Sequence, residues 1–315
     1  MHFRSTVTFF ICNFVAEINI DVFFLLEVAM FVRETNSSKV FVSRLCWQLL
    51  LVAVMVIGCT GGVAACSSDD DAAGRQHTVE RVRQRGTLLV GTTGDYRPLS
   101  FCESDGSYWG FGIEMARAIA SRLGVEAVFV KTSWPTLTAD VLADPQMFDL
   151  AIGGITITDA RRETMLMSDG YLANGKTILC RAEESEAYRS LADIDRPEVR
   201  VMVNPGGLNE KFARDSLTHA TVIVHQQNEE IPRLIAEGAA DVMITEITEA
   251  PYYVQHDSRL AAPLLSEPFT HGEIGVLMRR GQDDLLREVN AVIRQMKDDG
   301  SLRCLHERYE LLYAY

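Results

Sequence analysis

Positive charge is scarce in this 315-residue chain: 30 Lys and Arg stand against 43 Asp and Glu, for a net charge of −13. A nucleic-acid binder neutralises phosphates with a basic face, so this balance excludes that class of partner. Long apolar runs are missing too. The most apolar stretch, residues 45–57 (LCWQLLLVAVMVI), has 13 residues, whereas a bilayer-spanning helix needs about 20. The seven histidines are scattered without ligand spacing, neither HExxH nor GxSxG occurs, and past residue 66 only Cys102, Cys180 and Cys304 remain, with no CxxC. These absences predict three buried thiols, with one bridge in an exported protein as the alternative, no metal site, no cofactor and no hydrolase triad.

What is present begins with an export pattern. The apolar run follows Lys39 and Arg44 and precedes the small residues GCTGGVAAC, the three-part form of a secretory signal. Val63-Ala64-Ala65-Cys66 resembles a bacterial lipobox, which makes Cys66 the expected lipid-bearing residue; Cys59 closes a second, weaker match. The following SSDDDAAG reads as a solvated tether. The expected organisation is a signal segment over 1–65, of which 1–41 reads as lying upstream of the true start, then a tether over 66–77. The product is an exported protein, periplasmic or at the cell surface, anchored to the membrane by lipid. Residues 1–65 carry four basic and four acidic side chains, so the whole −13 belongs to the mature chain.

Beyond Gly86, short apolar strands are expected at 88–90, 128–130, 149–152, 199–203, 221–224, 241–244 and 274–278. Helical spacing is expected at 113–123, from about 135, and at 208–217, 229–237, 246–255, 283–297 and 301–312. Asp105-Gly106 marks a hairpin turn. This alternation predicts an α/β fold with parallel sheets covered on both faces. An extended polar stretch at 174–181 separates two such runs and predicts two lobes, 78–175 with 267–315 and 176–266, with a ligand cleft between them. Ligands in such sheets bind beyond the carboxyl ends of the strands.

The loops after the strands therefore hold the candidates. The first offers Thr93, Asp95 and Tyr96, and the second presents the Trp134 indole beside Pro135. In the third, Gly153 and Gly154 let a ligand approach the backbone and Thr156 offers a hydroxyl, while Arg161 sits in the first turn of a helix capped by Thr158 or Asp159. An arginine so placed grips a carboxylate with two parallel hydrogen bonds. The loop Asn204 to Lys211 joins strand to helix through two glycines without a phosphate-loop ending. Glu246 and Glu249 lie three apart, on one face of the expected helix start. In a dry cleft their mutual repulsion would keep one protonated as a proton donor. Spacing alone thus predicts an exported two-lobe binder of a small carboxylate.

The Tyr96-x-Pro98 loop, Gly110-Phe111-Gly112-Ile113-Glu114 and the Thr156 to Arg161 spacing resemble family 3 solute-binding proteins, the extracytoplasmic receptors of polar amino acid ABC transporters, over residues 78–312. The resemblance implies a two-lobe periplasmic-binding-protein-like fold of type II. It implies that Tyr96 and Trp134 sandwich the ligand, that Thr156 and Arg161 take an α-carboxylate, and that the acid at Glu246 takes an α-amino group. Gly112 and Glu246 stand where the family usually has Asp. TTGDYRP (92–98), TSWPTL (132–137), VNPGGLNEKFAR (203–214) and Thr245-Glu246-x-x-Glu249-Ala250 resemble more narrowly the cyclohexadienyl dehydratases, enzymes with the same fold. Those convert prephenate to phenylpyruvate, or arogenate to phenylalanine. That resemblance implies Glu249 as general acid, Trp134 as an aromatic wall, Asn204 as a substrate-orienting amide and Arg161 as the carboxylate grip, with no cofactor. The alternatives are an amino-acid-binding lipoprotein serving an ABC permease, or a sensor lipoprotein.

Overall fold

The strand Thr87–Thr92, alternately buried at first and then buried throughout, is the axis of the first sheet in a computed structural model that describes residues 77–311. The signal segment, the tether to residue 76, Cys59 and Cys66 lie outside the described residues. On either side of Thr87–Thr92 run Glu126–Lys131 and Leu150–Ala151, both parallel to it. Leu277–Met278 then pairs antiparallel with Leu150–Ala151 and with Leu166–Met167, which closes the sheet. The second sheet repeats the plan. Arg200–Val203 lies between Thr221–Val224 and Val242–Glu246, both parallel, and Lys176–Arg181 pairs antiparallel with Val242–Glu246 and Leu260–Ala261.

The expected two-lobe α/β fold is therefore present, but its sheets are mixed, not parallel. In each, the segments that arrive from the other half of the chain enter in the opposite direction. The polar stretch expected as a connection over 174–181 is instead largely the strand Lys176–Arg181, buried from Lys176 to Cys180. Between the sheets the chain crosses twice, side by side: Leu172–Asn174 pairs antiparallel with Gly272–Ile274, and the Phe269 N–H donates to the Lys176 carbonyl at 2.7 Å.

Burial follows the apolar periodicity. The helix Phe111–Leu123 buries Met115, Ile119 and Leu123, and Asp283–Asp298 buries Leu285, Val289 and Ile293, against Leu88 and Val90 of the first sheet. Leu137, Val141 and Phe148 cover the opposite face. Two helices begin later than their periodicity predicts. At 229–237 a 3₁₀ turn, Asn228–Glu230, precedes Ile231–Ala236, and at 246–255 the helix is Ala250–His256. Both have proline in the first turn, where its missing N–H is not needed. Glu246 thus ends a strand and Glu249 precedes a helix, so the pair does not share a helical face. Cys102, Cys180 and Cys304 are free, but of the three expected buried thiols only Cys180 is buried. Among the described residues no helix is long and apolar enough to cross a membrane.

The loops of the two sheets touch where Gly206, at φ +71°, lies over Pro135; a β-carbon there would stand 2.6 Å from the Pro135 Cα. Gly206→Ala is therefore expected to prop the cleft open. It should raise the radius of gyration in solution scattering and weaken ligand binding about tenfold, since the clash with Pro135, worth about 1–3 kcal/mol, arises only when the loops meet. A variant with native radius and affinity would show that this contact does not govern closure.

Candidate active site

The loops at the carboxyl ends of the strands close on a cavity of about 20 Å³. Tyr96, Trp134, Gly154, Thr156 and Arg161 line it from the first sheet's loops; Asn204 and Glu246 line it from the second's. All seven were singled out by their position after strands. The eighth, Glu249, stands behind this lining and is fully buried.

On the first side, the Thr158 hydroxyl caps the short helix Asp159–Thr164 by accepting the Arg161 N–H at 3.3 Å. The Arg161 side chain folds back to donate from Nη1 to the Thr156 carbonyl at 2.5 Å. Among the described residues it makes no ion pair, and burial holds its guanidinium below its ordinary pKa while the Glu246 carboxylate opposes that shift. It remains charged, as guanidinium does in proteins. Gly154, at φ +95°, leaves no room for a side chain: a β-carbon would meet the Tyr96 ring at 2.5 Å. The expected sandwich of Tyr96 and Trp134 is instead a corner, with the rings edge to face, centroids 5.7 Å apart and planes at 75°.

On the second side, strand register decides the chemistry. Glu246 lies directly opposite Lys176 in the antiparallel pair, and Lys176 Nζ reaches Glu246 Oε1 at 2.6 Å and Asn209 Oδ1 at 2.5 Å. The Tyr96 hydroxyl donates to Glu246 Oε2, and the Thr156 hydroxyl donates to Oε1 at 3.3 Å. Burial alone would raise the Glu246 pKa, but the Lys176 charge and the hydrogen bonds from Lys176 and Tyr96 offset it and hold the group below its ordinary value. Asn204, 4% exposed, accepts from Asn209 Nδ2 at 3.4 Å.

Glu249 has the opposite character. Its carboxyl receives the Thr245 hydroxyl and, at 3.0 Å, the Asn228 amide, with no cation on it among the described residues. Burial pushes its pKa up to about 8, the Glu246 and Asp95 charges add to the rise, and the two hydrogen bonds resist it. The two acids do split as the spacing suggested, but burial exceeds their mutual repulsion as the cause. The Asn228 amide also donates to the Asp95 carbonyl at 3.0 Å, which ties the turn behind the second sheet to the first sheet's loop.

Sequence reasoning missed Lys176, Asn209 and Asn228. Lys176 had a signal only in retrospect, since its importance comes from a strand pairing 70 residues away. With Arg161 and Lys176 against Glu246, the cavity has two cations and one carboxylate, an excess that suits an anion. Among the described residues no cluster of His, Cys, Asp and Glu is arranged to hold a metal ion.

Comparison with known proteins places this geometry among relatives. Residues 88–311 match the family described as bacterial extracellular solute-binding proteins, family 3. The chain is 36% identical over 250 residues to a cyclohexadienyl dehydratase of Pseudomonas aeruginosa, covering 79% of this chain and 91% of that protein. It is 29% identical over 259 residues to the L-cystine-binding protein TcyJ of Escherichia coli, covering 82% and 94%. Among solved structures it resembles the ancestral amino acid-binding protein AncCDT-1, a precursor of cyclohexadienyl dehydratase, with a TM-score of 0.67 at 35% identity over 74% of this chain and 99% of that one.

Removing the Lys176 ammonium leaves a buried carboxylate unpaired. Lys176→Met is expected to lower stability by about 3–5 kcal/mol at neutral pH. The sign follows from linkage: unpaired, Glu246 has its folded pKa raised above the unfolded one, so the loss grows as pH rises above about 5. Thermal unfolding at about pH 5 and about pH 8 checks this, and adding Glu246→Gln to the variant should recover most of the loss. An equal loss at both pH values, unrelieved by the second substitution, would contradict the pairing.

Proposed function

Given that the chain belongs to family 3 of the bacterial extracellular solute-binding proteins, we propose that it is an exported cyclohexadienyl dehydratase acting on prephenate. The observation that carries this reading is the split between the two acids, with Glu249 protonated up to about pH 8 beside an ionised Glu246. A receptor that only binds has no need of a protonated buried carboxyl. An acid catalyst near neutral pH does.

The residues take the following roles. Arg161, with the Thr156 hydroxyl, grips one carboxylate of the substrate in a bidentate fork. Lys176 receives the second through its remaining N–H while staying paired with Glu246, Asn204 orients the ring, and Tyr96 and Trp134 form the corner against which it packs. Substrate also displaces the Tyr96 and Thr156 bonds to Glu246 that now close the cleft. Glu249, joined to Glu246 by an N–H to carbonyl bond of 3.0 Å, lies one turn behind that wall. It gives its proton to the ring hydroxyl, which leaves as water. The bond to the ring carboxylate breaks and releases carbon dioxide, its electron pair enters the ring, and aromatisation drives the step. The bound second carboxylate is retained in phenylpyruvate. Burial keeps the proton on Glu249 until the hydroxyl is in place.

Lys176 also bears on substrate choice. A free carboxylate at 246 would suit the amino group of arogenate, but here the position already faces an ammonium, which favours the keto acid prephenate. The second reading, an amino acid receptor docking to an ABC permease, draws on the L-cystine-binding relative and on the lipobox at Cys66. In either reading the lobes 78–175 with 267–315 and 176–266 close on the ligand, and Cys66 is the anchoring residue.

Purified protein is expected to convert prephenate to phenylpyruvate, followed by absorbance, with a rate that falls as pH rises through about 8 and Glu249 loses its proton. Glu249→Gln should lower kcat by about 10²- to 10⁴-fold. Because the folded state holds this proton up to about 8, far above the ordinary 4.5, wild-type stability falls across that window and the Gln variant should unfold at a higher temperature near its upper end. No turnover, together with tight amino acid binding by calorimetry, would replace this reading with the receptor.

A further inference from the structure

Beside the helix Thr78–Arg85, and sharing no residue with the cleft, a second cavity of about 320 Å³ is lined by Arg81, Arg279, Arg280, Gln146 and Gln282, with Leu142 and Gly281. No carboxylate lines it, although the chain as a whole carries a net charge of −13. Asp149, close by, is buried behind Arg81 at 3.7 Å and is held by Arg85 and the Leu89 N–H. The cavity therefore keeps an excess of positive charge.

Hydrogen bonds orient the donors. Arg279 Nη1 donates to the Ala143 carbonyl at 3.2 Å, Arg280 Nη2 to the Arg162 and Glu163 carbonyls at 3.0 and 2.6 Å, and Arg81 Nη2 to Gln146 Oε1 at 3.3 Å. Gln282 adds an independent sign. It is 4% exposed, its Oε1 accepts the Arg279 N–H at 2.9 Å, and its Nε2 has no hydrogen-bond partner. A buried amide donor without an acceptor is costly and rare, and a turn of the Gln282 amide would offer Nε2 to an oxyanion in the cavity it lines. Three guanidinium forks and one amide N–H, brought from the helix at 81 and the turn at 279–282, exceed what one planar, singly charged carboxylate can use. They match a tetrahedral oxyanion with two charges.

We propose that this cavity is a binding site for a phosphate group, taken either as free phosphate or as a phosphate-bearing lipid headgroup. It serves neither the cleft nor its chemistry, so it stands whether the protein is a dehydratase or a receptor. Calorimetry of the full chain with inorganic phosphate, and co-sedimentation with phosphatidylcholine vesicles with and without phosphatidylglycerol, separate the two sources. The expected result is one saturable phosphate site, displaced by sulfate and not by acetate, or vesicle binding that depends on phosphatidylglycerol. Binding in whichever arm is positive should weaken about tenfold in Arg280→Gln and in Gln282→Leu, as the loss of a charge-assisted or a buried bond implies. Arg81→Gln, on a half-exposed side chain where the fold is not at risk, should weaken it too. Affinity for the cleft ligand should not change. Binding that never saturates in either arm, or that is the same in all three variants, would overturn the proposal.

Discussion

The ion pair between Lys176 and Glu246 is the contact on which the chemistry of the cleft depends. It joins two adjacent strands at matching positions, so strand register rather than loop conformation sets it. It keeps a fully buried carboxylate ionised, and that ionised group is what Tyr96 and Thr156 reach from the other side of the cleft. It also leaves Glu249, three residues on, without a cation of its own. A buried ion pair of this kind is weak evidence for stability, because desolvation of both partners offsets much of the attraction. Its value here is the contrast it creates between two neighbouring acids.

Closure carries that contrast to the acid. Asn228 uses one amide group to hold both the Glu249 carboxyl and the Asp95 carbonyl, so the turn behind the second sheet and the loop of the first are fastened at the same point. In the dehydratase reading, an acid kept protonated by burial would deliver its proton where the substrate is enclosed and not to solvent.

Much of this was legible in the sequence. Residues that follow short apolar strands are delivered to the cleft by any sheet of this kind, so Tyr96, Trp134, Gly154, Thr156, Arg161, Asn204 and Glu246 could be chosen from position and residue type, and all seven line one cavity. The Thr158 cap that places Arg161 is a local signal within four residues. What was not legible depended on pairing across the fold. Lys176 looked like part of a polar connection because its partner lies 70 residues on. The helix start at 246 was misjudged because proline is welcome in a first turn, which moves the helix to Ala250 and ends the strand on Glu246. The parallel sheets became mixed because the antiparallel strands come from segments whose direction no local pattern records.

The most direct test of this account is the protonation state of Glu249 itself. Infrared difference spectroscopy between the ligand-free protein and its Glu249→Gln variant at neutral pH reads that one carboxyl. The account predicts that the band lost in the variant is the carbonyl stretch of a protonated, buried carboxylic acid. Loss of a carboxylate band in its place would mean that Glu249 is ionised at rest, and acid catalysis from that position would be contradicted.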